Sequence, residues 1–375
     1  MHRALRLVAA LFAVCAMGVG AIWVRYGGGE HFEDRTGEPE LPGSALEVVA
    51  DLPLPPGNIA VSEQGRIFFS FHPEARPPVQ VAELVDGVPL PYPPKLPDEL
   101  TYQSVLSLRI DRQNRLWVLD NANHGFGTPR LLAFDLAMDE LVHRYDFPRE
   151  IAGRGSHLND FQVSPDGRHI YIADASIFAK TPALVVYDVV ARSSRRLLDG
   201  HESVTPENYV PVVQGRTMLI FGIFAIRPGV DSIALDRRGE WLYFAPVTSN
   251  HMYRVRRTDL DDAAQGGTGI ADRVERFALK TASDGITTDL EDNVYLSDPD
   301  NSAIVVLQPD GRLRTLVKDP KLRWPDGFSF GPGGWLYVTC SALHHVIMKS
   351  GDHVRANAPY QIYRFRPGPL GLAGH

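Results

Sequence analysis

One pattern occurs six times in this chain and limits its fold more than any other feature. An apolar run leads into a turn with Gly or Asn. An apolar–aromatic–apolar run follows and often ends in Asp. The copies are IAVSEQGRIFFSF from Ile59, LRIDRQNRLWVLD from Leu108, FQVSPDGRHIYIAD from Phe161, IALDRRGEWLYFAP from Ile233, ITTDLEDNVYLSD from Ile286 and FSFGPGGWLYVTC from Phe328. Their aromatics in register are Phe68, Trp117, Tyr171, Tyr243, Tyr295 and Tyr337, separated by 49, 54, 72, 52 and 42 residues. Two runs of period-2 alternation around a tight turn form a β-hairpin. Further pairs of strand-like runs follow most copies, such as LLAFDL with LVHRYDF and AIVVL with LRTLV. Four strands per unit, six times over, predict an all-β chain folded as a six-bladed β-propeller across residues 45–375. The repeated aromatics are expected to pack between blades.

A ring of blades must close. After the sixth hairpin only one strand remains, QIYRF at Gln361. Ala45–Leu52, ALEVVADL, precedes the first hairpin and has no blade of its own. It is expected to supply the outer strand of the last blade and so remove an open sheet edge. The long separation between Tyr171 and Tyr243 marks a surplus segment, about His201–Pro228. Either it is an extended crossing loop, or its apolar half, Met218–Ile226, lies over one mouth of the channel.

Residues 1–26 are read apart from the fold. Arg3 and Arg6 precede an uncharged run, Leu7–Val24, that Arg25 ends. This is the pattern of a signal peptide or a retained membrane anchor. With the arginines on the cytoplasmic side, the bulk of the chain is periplasmic or secreted and meets a membrane only through this segment. Residues 27–44, rich in Gly, Pro and acids, read as a tether. Cys15 and Cys340 are the only cysteines, so no disulfide framework is expected, and Cys340 reads as a small buried hydrophobe. A net charge of −7 argues against sequence-independent nucleic-acid binding. No G-x-S-x-G, phosphate loop, dinucleotide fingerprint or H-E-x-x-H is present, so no organic cofactor is expected.

Chemistry is expected at the channel mouth, where the innermost strands begin. Asn58, Asn159 with Asp160, Asp231, Asp284 and Asp326 stand at that place in five blades. The second blade has Leu106 and Ser107 instead. Converging carboxylates repel unless a cation sits among them or their pKa values rise. Asn58, Asn159, Asp231 and Asp284 are therefore candidate ligands of a divalent cation, Ca, Mg or Zn. Asn58, His157, Asn159, Asp160 and Asp326 are candidate contacts of a small-molecule ligand. Capping of local backbone amides is the alternative for each. His124, His251, His344 and His345 read as loop or surface residues. Asp120, Asp174 and Asp298 read as turn formers after the second strands.

GVDSIALDRRGEWLYFAPVTSNHMYRV, SDGITTDLEDNVYLSDPDNSAIVVL and DPKLRWPDGFSFGPGGWLYVTC resemble the major royal jelly protein/yellow family, and more closely its bacterial, dopachrome-tautomerase-related branch. The resemblance runs from about Leu46 to Phe365. It implies a six-bladed propeller, secretion, and a channel-mouth pocket for small ligands such as aromatic amines. A more distant resemblance is to the gluconolactonase/regucalcin propellers. Those hold one divalent metal through a Glu, an Asn and an Asp and open lactones. This resemblance places Asp284 at their Asp, as metal ligand and catalytic proton acceptor, and Asp231 at their Asn. Asn58 stands where they carry the Glu. Three readings follow: a ligand-binding protein, a metal-assisted lactonase or dopachrome-type tautomerase, and a protein-interaction platform.

Overall fold

The alternation in the six repeats becomes six four-stranded antiparallel sheets in a computed structural model that describes residues 2–262 and 269–374. Blade 1 is Pro56–Val61, Ile67–Phe71, Val81–Val85 and Val88–Pro91. Blade 2 is Val105–Ile110, Arg115–Asp120, Arg130–Asp135 and Glu140–Asp146. Blade 3 is Leu158–Val163, His169–Asp174, Ala183–Asp188 and Ser193–Leu197. Blade 4 is Val230–Leu235, Trp241–Pro246, His251–Arg256 and Glu275–Leu279. Blade 5 is Ile286–Thr288, Val294–Asp298, Ala303–Leu307 and Leu313–Lys318. Blade 6 is Pro325–Phe330, Leu336–Cys340 and Tyr360–Phe365, completed on its outside by Glu47–Leu52. That last strand pairs antiparallel with Tyr360–Phe365, from Glu47 opposite Arg364 to Leu52 opposite Tyr360. The ring is therefore closed by the N-terminal strand.

The repeated aromatics are buried where neighbouring blades meet. Tyr295 of blade 5 meets Phe330 of blade 6 edge to face, with centroids 5.7 Å apart. Trp117 of blade 2 shares a core with Phe161 and Ile170 of blade 3, and Tyr337 of blade 6 with Ile59 and Val61 of blade 1. Each aromatic thus ties two sheets together, which a large flat side chain does efficiently. Cys340 is fully buried in the core shared by blades 5 and 6.

The surplus segment between blades 3 and 4 both crosses and covers the mouth. It forms two short hairpins, Val212–Val213 with Arg216–Thr217 and Leu219–Ile220 with Phe224–Ala225. Val213 and Met218 are buried against Leu343, Val346 and Val354 of the loop in blade 6. Arg216 donates to the carbonyls of His344 and Ile347. This segment is a lid. At the opposite mouth the C-terminal residues tuck in. Leu290 N donates to Leu370 O at 2.7 Å, and Gly374 N to Phe330 O at 3.1 Å. Residues 27–44 run along the wall: Gly37 N donates to Thr315 Oγ1 and Leu41 N to Leu316 O, each at 2.8 Å.

Candidate functional site

In five blades the first strand slips register with the second just as it begins. The slips lie between Pro56 and Ile59, Val105 and Ser107, Leu158 and Phe161, Val230 and Ser232, and Pro325 and Phe328. A β-bulge re-aims a side chain that the ladder would otherwise pair. Here the bulged residues are Asn58, Leu106, Asn159 with Asp160, Asp231 and Asp326. In blade 5 Asp284 precedes the strand, and its amide donates to Ser297 Oγ at 3.1 Å.

Below the lid lies a cavity of about 850 Å³. Asn159, Asp231, Asp284 and Asp326 line it, and so does His157. Trp324, Val346 and Ile347 of blade 6 line one wall, and Ile226 and Pro228 of the lid line the roof. Asn159 Oδ1 and Asp231 Oδ1 are buried without a hydrogen-bond partner. An orphaned buried acceptor is costly, so a donor is expected from something bound.

Asn58 and Asp160 do not line the cavity. They form a buried layer with two residues that the sequence pattern missed, Ser107 and Arg109. Asn58 Nδ2 donates to Asp160 Oδ1 at 2.7 Å, and Ser107 Oγ donates to the same oxygen at 3.0 Å. Asn58 Oδ1 accepts from the Arg109 guanidinium and, at 2.7 Å, from Ile59 N. Arg109 Nη2 stands 3.9 Å from Asp160 Oδ2, with both side chains almost wholly buried. The axis therefore carries four carboxyls, those of Asp160, Asp231, Asp284 and Asp326, and one fixed cation.

Burial raises these carboxyl pKa values, opposed by Arg109 at Asp160 and aided by neighbouring acids at Asp231, Asp284 and Asp326. Burial pushes Asp284 up to about 6, against the Trp324 indole N–H that donates to its Oδ2. Asp231 and Asp326 lie well above the usual carboxylate range, first through burial and next through Asp284. A folded-state pKa above the unfolded one means no penalty below pH 4, where both states are protonated. The penalty grows as pH rises through about 6. It amounts to up to about 3 kcal/mol before solvent in the cavity screens it. Asp284→Asn keeps an acceptor for Trp324, so it should raise the melting temperature at pH 8 and leave it unchanged at pH 4. Thermal melts at both pH values check this, and an equal gain at both would mean that charge is not the cause.

The opposite wall holds a second group, in which the sequence reading has His157 as a candidate ligand contact, places His124 in a loop and passes over His72 and Glu74. His124 and His157 stack with centroids 4.6 Å apart, and their Nδ1 atoms lie 2.8 Å apart. Glu74 Oε1 is 3.9 Å from His124 Nε2, and His72 and Glu74 both line the cavity. Burial and then His124 push His157 down to about 3, so it is neutral. Burial likewise takes His72 down to about 4. Asp174 fixes His157 by accepting from its amide at 2.7 Å and from Ser176 N at 2.9 Å. Asp120 does the same between Ser104 and Ala122. The backbone is left-handed at Ala122 to His124 and at Ser176, with φ from 44° to 56°, and this sets the direction of the two loops. His344 is buried under the lid, its Nε2 3.2 Å from Gln214 Oε1, rather than on the surface.

A divalent cation of the lactonase kind would need oxygens from Asn58, Asp231 and Asp284 together. Both lone-pair directions of Asn58 Oδ1 are taken, and a guanidinium stands beside it. Among the described residues no three His, Cys, Asp or Glu side chains form a metal-binding group. The residues present do not fit that ion.

Residues 103–350, more than half of the chain, match the family model described as Major royal jelly protein. The chain belongs to the major royal jelly protein family. Major royal jelly protein 7 of Apis mellifera is 31% identical over 163 residues, 40% of this chain and 34% of the relative. Major royal jelly protein 1 of the same organism is 30% identical over 191 residues, 45% of this chain and 42% of the relative. The matched region thus spans less than half the length of these relatives. Among solved structures, a gluconolactonase from Xanthomonas campestris has a TM-score of 0.56 at 13% identity, covering 85% of this chain and 89% of that one. Regucalcin, a calcium-binding protein from Agrobacterium tumefaciens, has a TM-score of 0.53 at 17% identity, covering 87% and 95%. At such identities the likeness is one of fold. The stretch matching the royal jelly family contains Arg109, His124, His157, the four polar cavity residues Asn159, Asp231, Asp284 and Asp326, and Trp324, but not His72 or Glu74.

Proposed function

We propose that this royal-jelly-type propeller is an exported binding protein for a small ligand that joins an aromatic or apolar body to a protonated amine. The observation that carries this reading is the partnerless oxygens of Asn159 and Asp231, set among buried carboxyls beneath an apolar wall and lid. An ammonium group donates several hydrogen bonds and supplies the positive charge that the acids lack. Trp324, Ile226 and Val346 receive the apolar body. Affinity should rise between pH 5 and 7, because the amine must displace protons from Asp284, whose pKa is about 6.

Calorimetry with phenethylamine and its isosteric alcohol tests this. The amine should bind at least about tenfold more tightly, and Asp231→Asn or Asp284→Asn should remove most of that difference. Equal binding of amine and alcohol would sink the reading, and binding of neither would favour an interaction platform. Chelators should leave the affinity unchanged; a loss on chelation would restore the metal-dependent reading.

A second reading, a dopachrome-type isomerase, is favoured by the neutral His157, stacked on His124 and facing the acids. In it His157 accepts a proton from bound ligand and a protonated aspartic acid returns one elsewhere on the same molecule. Deuterium from solvent would then enter the ligand, and His124→Gln would slow that exchange while leaving binding intact.

A further inference from the structure

The N-terminal helix His2–Ile22 ends at the lid. Leu5–Ile22 is exposed throughout and has a mean hydropathy of 2.2, enough by length and composition to cross a bilayer. The chain after it is held in place. The Tyr26 ring lies 6.2 Å from that of Phe224 in the lid hairpin. Glu30 N donates to Asn208 O at 2.8 Å, Val210 N returns a bond to Glu30 O at 3.0 Å, and Phe32 stacks on Tyr209 at 4.5 Å. The helix base and the lid are one docked unit.

A second observation is independent of the helix. Among the described residues of the propeller, the exposed aromatic side chains are Phe126, Phe178, Phe221 and Phe224. Phe126 and Phe178 lie in loops that follow the second strands of blades 2 and 3, which end beside the mouth. Phe221 is the lid tip and is 73% exposed. The turns at the far end expose aliphatic residues instead, such as Met138 and Val190. Exposed aromatics gathered on one face beside an apolar helix match the chemistry of a lipid headgroup region, where amphipathic and aromatic groups settle.

We propose that the helix is a retained anchor and that the lidded mouth rests on the bilayer surface, with Phe221 and Phe224 among the headgroups and Phe126 and Phe178 across the mouth. The cavity then opens onto the layer where amphiphilic amines concentrate. That consequence rests on the proposed function, whereas the orientation does not.

The test uses the full chain in vesicles of phosphatidylethanolamine and phosphatidylglycerol. Cys15→Ser removes the exposed thiol, and the buried Cys340 does not label. Phe221→Cys or Met138→Cys carries an environment-sensitive dye, and brominated lipids act as quencher. Loss of emission at 221 with none at 138 is expected. Loss at neither position, or equally at both, overturns the orientation. So does a blue-shifted probe at 221 that responds to protein concentration and not to brominated lipid, which would place a second copy on this face. Recovery of the mature chain without residues 1–26 overturns the anchor. Amine binding measured in detergent reads the cavity separately.

Discussion

A chain that begins at Pro53 should fail to form a stable propeller, whereas one that begins at Ala45 should form it. The difference is the outer strand of blade 6. Leu52 is 1% exposed, and Leu46 and Ala50 are also buried. Two buried leucines contribute about 3–6 kcal/mol together. The strand also satisfies the outer backbone groups of Tyr360–Phe365, and its loss would expose a sheet edge open to pairing with other molecules. Against a typical total of about 5–15 kcal/mol, that is a large fraction. The expected result is a melting temperature lower by about 10 °C or more, with aggregation on heating. Scanning calorimetry of the two chains decides it, and equal transitions would show that the ring does not depend on this closure.

Much of this fold is legible in the sequence because period-2 alternation and turn residues are local signals. Counting strands sufficed to assign Glu47–Leu52 to blade 6. The lid was visible only as excess length. Its seat on Leu343 and Val346 depends on residues far apart in the chain, and no local pattern carries that. The polar residues at the strand starts mark the cavity, yet Asn58 shows the limit of register. It holds the same place as Asp231 and is taken up by Arg109. The missing signal was Arg109 itself: an arginine in a strand buried on both faces needs a partner close by. His72, Glu74 and His124 follow second strands, where loop shape and not repeat register sets direction. The left-handed run Ala122–His124 turns His124 onto His157, and nothing in DNANHG announces it.

Arg109→Met should be the most damaging single substitution at the axis. Methionine fits the apolar part of the space but leaves Asp160 buried with only Asn58 and Ser107 as donors. Breaking one side of a buried ion pair costs about 3–5 kcal/mol, because the remaining charge has no compensation. The carboxyls of Asp160, Asp231, Asp284 and Asp326 would then share the channel with no fixed cation, and each would hold its proton to higher pH. Arg109→Lys should also lose stability, since one ammonium cannot reach Asn58 Oδ1, Leu108 O and Asp160 together. Adding Asp160→Asn to Arg109→Met should restore much of the loss, since the double substitution removes one charge of each sign. Asparagine at 160 still accepts from Asn58 and Ser107. Amine affinity of the double variant should stay within about threefold of the parent, because the cavity carboxyls are untouched. Denaturant melts of the parent, both singles and the double form a cycle whose coupling term isolates the pair. If Arg109→Met alone is as stable as the parent, or the double is no more stable than that single, the guanidinium does not neutralise the axis.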